Sequence, residues 1–196
     1  MKPERLPRVV LGVTGSIAAY RAADLVSMMT QNGIEVDVIL TREGERFIPP
    51  LTLHSLSRRP VHTQDGVEPV SGRPTHIALG DDADLVLIAP ATAQIIGNYA
   101  HGLAPDLLSS TLLATPAPVV IAPAMNGKMW AHPAVQENVR ILTARGVRWI
   151  GPDRGYLACG YEGAGRLWPV TKIFEETKAL LDAIVQGKSP AKAKRV

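Results

Sequence analysis

Three side chains in this sequence stand out as able to do chemistry. They are His76 in Thr75-His76-Ile77, Asn126 closing Pro123-Ala124-Met125-Asn126, and Cys159 in Leu157-Ala158-Cys159-Gly160-Tyr161. An imidazole takes up or gives off a proton near neutrality. An amide can hydrogen-bond a ligand, and a thiol can ionise. Each residue also has a plain reading: His76 as a surface or hydrogen-bonded structural histidine, Asn126 as the cap of the next helix, and Cys159 as a small buried hydrophobe. The neighbours of Cys159 weigh against simple burial. Gly151 to Gly165 holds five glycines, which suit a hinged flap closing over a ligand better than a connector.

A fourth feature could hold a phosphate. Gly12-Val13-Thr14-Gly15-Ser16 ends an apolar run and opens a helix-like one. Glycines there let backbone approach a ligand, and a helix start offers N–H donors and the positive end of its dipole. Ser16 could equally be an ordinary N-cap. What the turn lacks is more informative. No lysine follows Gly15, so it is not a Walker A loop, and the third glycine of a dinucleotide fingerprint is missing. The second apolar run ends in Thr41, where an NAD site would place Asp or Glu. A mononucleotide such as FMN fits these features better than a dinucleotide. The other histidines, His54, His62, His101 and His132, share no ligand spacing, and a single cysteine excludes a cysteine-based zinc site. No metal is expected.

These residues need a scaffold, and the hydrophobic pattern supplies one. Val9–Val13, Val36–Leu40, Leu85–Ala89, Val119–Ala122 and Val147–Ile150 are continuous apolar runs, the pattern of strands buried on both faces. Helix-like stretches alternate with them: Ile17–Gln31, Ala93–Ala100, Asp106–Ala114 and Ala134–Ala144. Strand and helix in alternation predict an α/β fold, a doubly wound parallel sheet of Rossmann or flavodoxin-like type in a single domain. Ligands of such sheets bind beyond the carboxyl ends of the strands. Small residues and hydroxyls stand at those ends here: Thr14-Gly15-Ser16, Thr41, Ala91-Thr92 and Ala124-Met125-Asn126.

Composition narrows the function classes. The 196 residues are 46% hydrophobic and carry a formal charge of +3, with Lys188, Lys192, Lys194 and Arg195 crowded at the end. The folded part is therefore close to neutral, without the basic stripe and interleaved aromatics of a nucleic-acid binder. No apolar run approaches the ~20 residues that span a bilayer. Without a secretory h-region after Met1, and with one cysteine, the expected location is cytoplasmic. We expect a flavoprotein domain over 1–186, and over 187–196 a disordered tail or the start of a linker.

Taken together, Gly12 to Tyr20, Ala89-Pro90-Ala91-Thr92-Ala93, Ala100-His101-Gly102, Pro123-Ala124-Met125-Asn126 and Gly155 to Gly160 resemble the homo-oligomeric flavin-containing cysteine decarboxylases. The resemblance runs from residue 9 to about 170, and the Pro-Ala-Met-Asn run paired with a later cysteine flap is its specific part. It implies FMN held by Gly15, Ser16 and Ile17, by Thr41, by Thr92, Ala93, Gln94 and Ile95, and by Ala124. It further implies His76 as active-site base, Asn126 as the substrate-carboxylate contact, Cys159 as proton donor, and Tyr156 and Ala158 as flap positions touching substrate. The activity implied is decarboxylation of 4'-phosphopantothenoylcysteine to 4'-phosphopantetheine in coenzyme A biosynthesis, through a thioaldehyde and an ene-thiol. Implied partners are further copies of the chain, in trimers or a dodecamer, and a fused or associated phosphopantothenate–cysteine ligase. Gln94, Asn98 and Pro105 depart from the family pattern, where Asn, Lys and Asp are usual. Two alternatives share much of this signature: a peptidyl-cysteine decarboxylase with the same His, Asn and Cys, and a flavin-binding regulatory subunit without catalysis.

Overall fold

The computed structural model describes residues 5–63, 72–156, 160 and 162–187. Six parallel strands form one sheet in the order β3-β2-β1-β4-β5-β6. They are β1 (Arg8–Val13), β2 (Glu35–Leu40), β3 (Val61–His62), β4 (Leu85–Ala91), β5 (Val119–Pro123) and β6 (Arg148–Trp149). Every residue of β4 and β5 is buried, which is why these runs read as uninterrupted apolar sequence. Beyond the sheet, β7 (Asp153–Tyr156) and β8 (Glu162–Arg166) pair as an antiparallel hairpin. The stretch expected to be a flap is thus, in its described parts, two paired strands.

Helices cover both faces. On one side α1 (Arg21–Gln31), α3 (Pro50–Ser57) and α9 (Val170–Val185) bury Leu25, Met29, Leu53, Ile173 and Leu181 against Val9, Leu11, Val38 and Leu87. On the other, α4 (Thr75–Asp82), α5 (Ala93–Ala100), α6 (Leu107–Ala114) and α8 (Pro133–Ala144) bury Leu79, Ile96, Leu108 and Leu142 against Val10, Ile39, Val86 and Ile121. The alternation of odd and even strand positions between the two layers follows the pleat. Two one-turn helices, α2 (Arg42–Glu45) and α7 (Gly127–Trp130), sit beyond the ends of β2 and β5. A short 3₁₀ turn, Ile17–Tyr20, precedes α1, so the expected single helix over Ile17–Gln31 begins with a tighter first turn.

Packing alone already disfavours a side chain at Gly12 and Gly15. A Cβ on Gly12 would lie 2.6 Å from a methyl of Leu108, so α6 crosses β1 closely only because that side chain is missing. A Cβ on Gly15 would overlap that of Glu43 in α2. Neither residue has a positive φ.

The order 3-2-1-4-5-6 places the topological switch between β1 and β4, where chain connections leave in opposite directions and a crevice opens at the carboxyl ends. Thr14 stitches that point together. Its hydroxyl donates to the carbonyl of Pro90 at 2.7 Å and accepts from the N–H of Thr92 at 3.1 Å, while it remains 3% exposed. A register shift between Ile88 and Ala91 bends the end of β4 beside it. Toward the other edge, buried Asp37 of β2 accepts two hydrogen bonds from Arg59, at 2.7 and 3.1 Å, with Arg8 and Glu35 alongside. The hydrogen bond to Asp37 holds the Arg59 guanidinium above its ordinary pKa, and burial pushes the His62 imidazole below its own. This ionic cluster pins the short β3 to the sheet.

Candidate active site

A cavity of about 320 Å³ opens at the switch point. Gly15, Ser16, Ile17 and Ala18 line it from the turn after β1, Thr92 from the end of β4, and Ala124, Met125 and Asn126 from the end of β5. Met129 of α7, Tyr156 of β7 and the run Gly165-Arg166-Leu167 complete the wall. Six residues expected from sequence to touch flavin or substrate therefore meet in one place with Tyr156: Gly15, Ser16, Ile17, Thr92, Ala124 and Asn126.

The donors at its rim follow from local structure. Ser16 is extended and accepts the N–H of Ala18 at 3.3 Å, so it is a cap as well as a wall residue. Thr92 also precedes its helix in extended conformation but makes no side-chain cap, leaving the first-turn N–H groups of Ala93, Gln94 and Ile95 uncapped by it. Such N–H groups carry the positive end of the helix dipole. Of the α5 side chains, Ile95 is buried in the core and Gln94 is exposed. Ile95 can therefore offer a ligand only its backbone, whereas Gln94 has both its N–H and its side-chain amide to offer. Thr41 lies outside the cavity lining, because its hydroxyl caps α2 through Gly44 N–H at 3.2 Å and donates to the Val13 carbonyl at 3.2 Å.

Asn126 serves two purposes. Its Oδ1 accepts the Lys128 N–H at 2.8 Å as the cap of α7, and the same residue lines the cavity. The preceding loop is fastened on both sides: Ala124 N–H donates to the Ala91 carbonyl and Met125 N–H to the Gly165 carbonyl, each at 2.9 Å. The base of the hairpin thereby positions the Asn126 loop.

Gly165 has φ +139°, and a Cβ there would run into the Met125 carbonyl. Gly165→Ala should therefore push the hairpin base off the loop. The cost of such backbone strain is about 1–3 kcal/mol, which lowers Tm by on the order of 5 °C. Thermal unfolding of the variant measures it. An unchanged Tm would mean that the two loops are independent.

His76 is not in the lining. It is the second residue of α4, half-buried, on a helix packed against α6. Cys159 and Ala158 lie outside the described residues, between β7 and Gly160. Met129, Arg166 and Leu167 belong to the wall although their sequence carried no chemical signal beyond lying next to the Asn126 run and the glycine-rich stretch. Met125, inside the Pro-Ala-Met-Asn run, also lines the wall.

The chain matches the Flavoprotein family over residues 2–182 and belongs to it. Among curated relatives it is 50% identical, over 159 residues, to the coenzyme A biosynthesis bifunctional protein CoaBC of Bacillus subtilis, a match covering 81% of this chain and 39% of that protein. The chain thus spans about two fifths of the length of such relatives. It is 42% identical over 176 residues to the probable phosphopantothenoylcysteine decarboxylase of Streptococcus mutans, covering 89% of this chain and 98% of that one. Among solved structures, a PPC decarboxylase mutant complexed with pantothenoylaminoethenethiol superposes with a TM-score of 0.81 at 30% identity, over 91% of this chain and 100% of the other. The FMN-dependent cysteine decarboxylase SpaF gives 0.75 at 30% identity, over 94% and 99%.

Proposed function

We propose that this chain is an FMN-dependent decarboxylase that converts 4'-phosphopantothenoylcysteine to 4'-phosphopantetheine in coenzyme A biosynthesis. The observation that carries the reading is the convergence of the Asn126 amide, the Gly15-Ser16-Ile17 turn and the N-terminus of α5 on one cavity at the switch point. The names of the Bacillus and Streptococcus relatives and of the superposed decarboxylases support it.

The residues present fit FMN. The turn after β1 and the uncapped first turn of α5 offer backbone donors, and Ala18, Ala124, Met125 and Leu167 offer apolar surface to a ring system. Gly15, Ser16, Ile17, Thr92 and Ala124 would hold it directly, with Ala93, Gln94 and Ile95 contributing N–H groups. When bound, FMN supplies a two-electron acceptor that returns its electrons, so the overall reaction consumes no external reductant.

The chain's own groups then have separable tasks. Asn126 Nδ2 hydrogen-bonds the substrate carboxylate and aligns the bond that breaks. Tyr156 and Ala158 bracket the substrate, and the hairpin limits water around the reacting end. The imidazole of His76 receives a proton from substrate. The carbon that loses carbon dioxide must gain a proton before a saturated thiol can form, and the Cys159 thiol is its donor.

Since His76 stands on α4 rather than in the cavity wall, we assign it to the cavity of an adjacent copy. A homo-oligomer, trimeric and in some arrangements dodecameric, supplies that neighbour. The chain would work in the cytoplasm, where thiols stay reduced, fused to or associated with the phosphopantothenate–cysteine ligase that makes its substrate. No described helix is long and apolar enough to cross a membrane.

An absorption spectrum of the purified protein tests the cofactor. A yellow chromophore released by heat and identified as FMN is expected. A protein that stays colourless and takes up no added FMN would overturn the reading. Carbon dioxide release from the phosphopantothenoyl substrate, compared with a peptide ending in cysteine, tests the substrate.

A further inference from the structure

A second groove, of about 760 Å³, continues from the cavity. Ile17, Ala18, Arg166 and Leu167 line both. From that shared wall the groove runs along α1 past Arg21, Asp24 and Ser27 and is closed opposite by Trp168, Pro169 and Thr171. Its character differs from that of the cavity, since two guanidinium groups face a channel that also has indole and aliphatic walls.

The proposed substrate is too long for the cavity alone. Between the cysteine α-carbon and the phosphorus lies a chain of two amides and a branched pantoyl segment, extending about 14 Å, as much as four residues of extended backbone. A cavity of about 320 Å³ that also receives a flavin ring cannot enclose it. The arm has to leave through an opening, and at its far end it carries a phosphate with about two negative charges at neutral pH.

We infer that the groove between α1 and the Arg166–Thr171 segment binds the phosphate-bearing arm of the substrate, with Arg21 as the phosphate contact and Arg166 at the junction of groove and cavity. This rests on the decarboxylase reading above. The Arg21 guanidinium is half exposed, lies 5.0 Å over the ring of Tyr20, and among the described residues pairs only with the exposed carboxylate of Asp24, at 3.6 Å. A loose pair of this kind gives way to a doubly charged phosphate, which offers shorter charge-assisted hydrogen bonds. Arg166 is tied to Asp153 at 2.7 Å, which holds its stem across the junction. Trp168 and Leu167 suit the branched methyls of the pantoyl segment, and Ser27 and Thr171 suit its polar groups.

Calorimetric titration of the FMN-loaded full chain with 4'-phosphopantothenate and with pantothenate tests this without requiring turnover. The phosphorylated compound should bind at least about tenfold more tightly, and Arg21→Gln should bring the two to within about threefold of each other. An affinity ratio in Arg21→Gln equal to that of the parent, or a parent that does not distinguish the compounds, would overturn the assignment. If the ratio is insensitive while the variant dissociates into monomers, the groove belongs to a neighbouring copy and the assignment falls. Carbon dioxide release measured in parallel separates the two levels. Arg21-dependent binding without any release would overturn the decarboxylase reading and keep the groove, whereas release with Arg21-indifferent binding would do the reverse.

Discussion

Replacing His76 with Asn is expected to lower carbon dioxide release about 10²–10⁴-fold, the range over which a positioned acid or base acts, while FMN content stays that of the parent. The split between the two readouts follows from position. His76 does not line the cavity of its own chain, so its loss leaves the Gly15–Ala18 turn, Thr92 and Ala124 unaltered. Nor should stability fall far, since the side chain is half-buried and Thr75, Ala78 and Leu79 carry the packing of that helix. A sharper consequence concerns the neighbouring copy. Mixing His76→Asn subunits with Asn126→Ala subunits and allowing them to reassemble should restore part of the activity, because some interfaces then pair an intact His76 with an intact Asn126. An active His76→Asn variant would remove the base assignment, and mixtures that never recover would place His76 and Asn126 within one subunit's site.

The second large effect is on the product. Cys159→Ser should still release carbon dioxide but stop at the ene-thiol, with the two electrons left on FMN, so that release is limited to about one equivalent per bound FMN unless dissolved dioxygen reoxidises it; saturated phosphopantetheine should fall by at least about 10²-fold, as expected when a proton donor is exchanged for a much weaker acid. Mass spectrometry separates the two products by two mass units. Full conversion to phosphopantetheine in the variant would take Cys159 out of the scheme.

The sheet was largely legible because fully buried parallel strands write themselves as apolar runs. Val9–Val13, Val36–Leu40, Leu85–Ala89 and Val119–Ala122 all lie within β1, β2, β4 and β5. The two-residue β3 carries no such run, since an ionic cluster around Asp37 and Arg59 fixes its place instead. The hairpin was hidden for a different reason: glycines at 155, 163 and 165 show no alternation, and pairing with the partner strand rather than propensity makes them strands. Of α9, the buried Ile173, Thr177 and Leu181 stand at four-residue spacing, but a threonine in the middle breaks the apolar stripe.

The site was legible in its residues and less so in their reasons. Asn126 reads as a cap or as a ligand contact, and the structure shows the cap on a residue that also faces the cavity. Gly12 and Gly15 look like concessions to a phosphate, yet Leu108 and Glu43 occupy the space that their side chains would need. Thr41, informative in sequence for not being acidic, spends its hydroxyl on α2 and β1. Packing constraints of this kind come from residues about 30 or 100 positions away, so no local pattern exposes them.

On the proposed reading, one cavity loaded with FMN decarboxylates a cysteine-derived substrate without net redox change. Incubating the purified FMN-loaded protein with 4'-phosphopantothenoylcysteine, without any added reductant or oxidant, should give many turnovers, with one phosphopantetheine formed for each carbon dioxide released. No release, or release that stops after one equivalent of bound FMN, would contradict it.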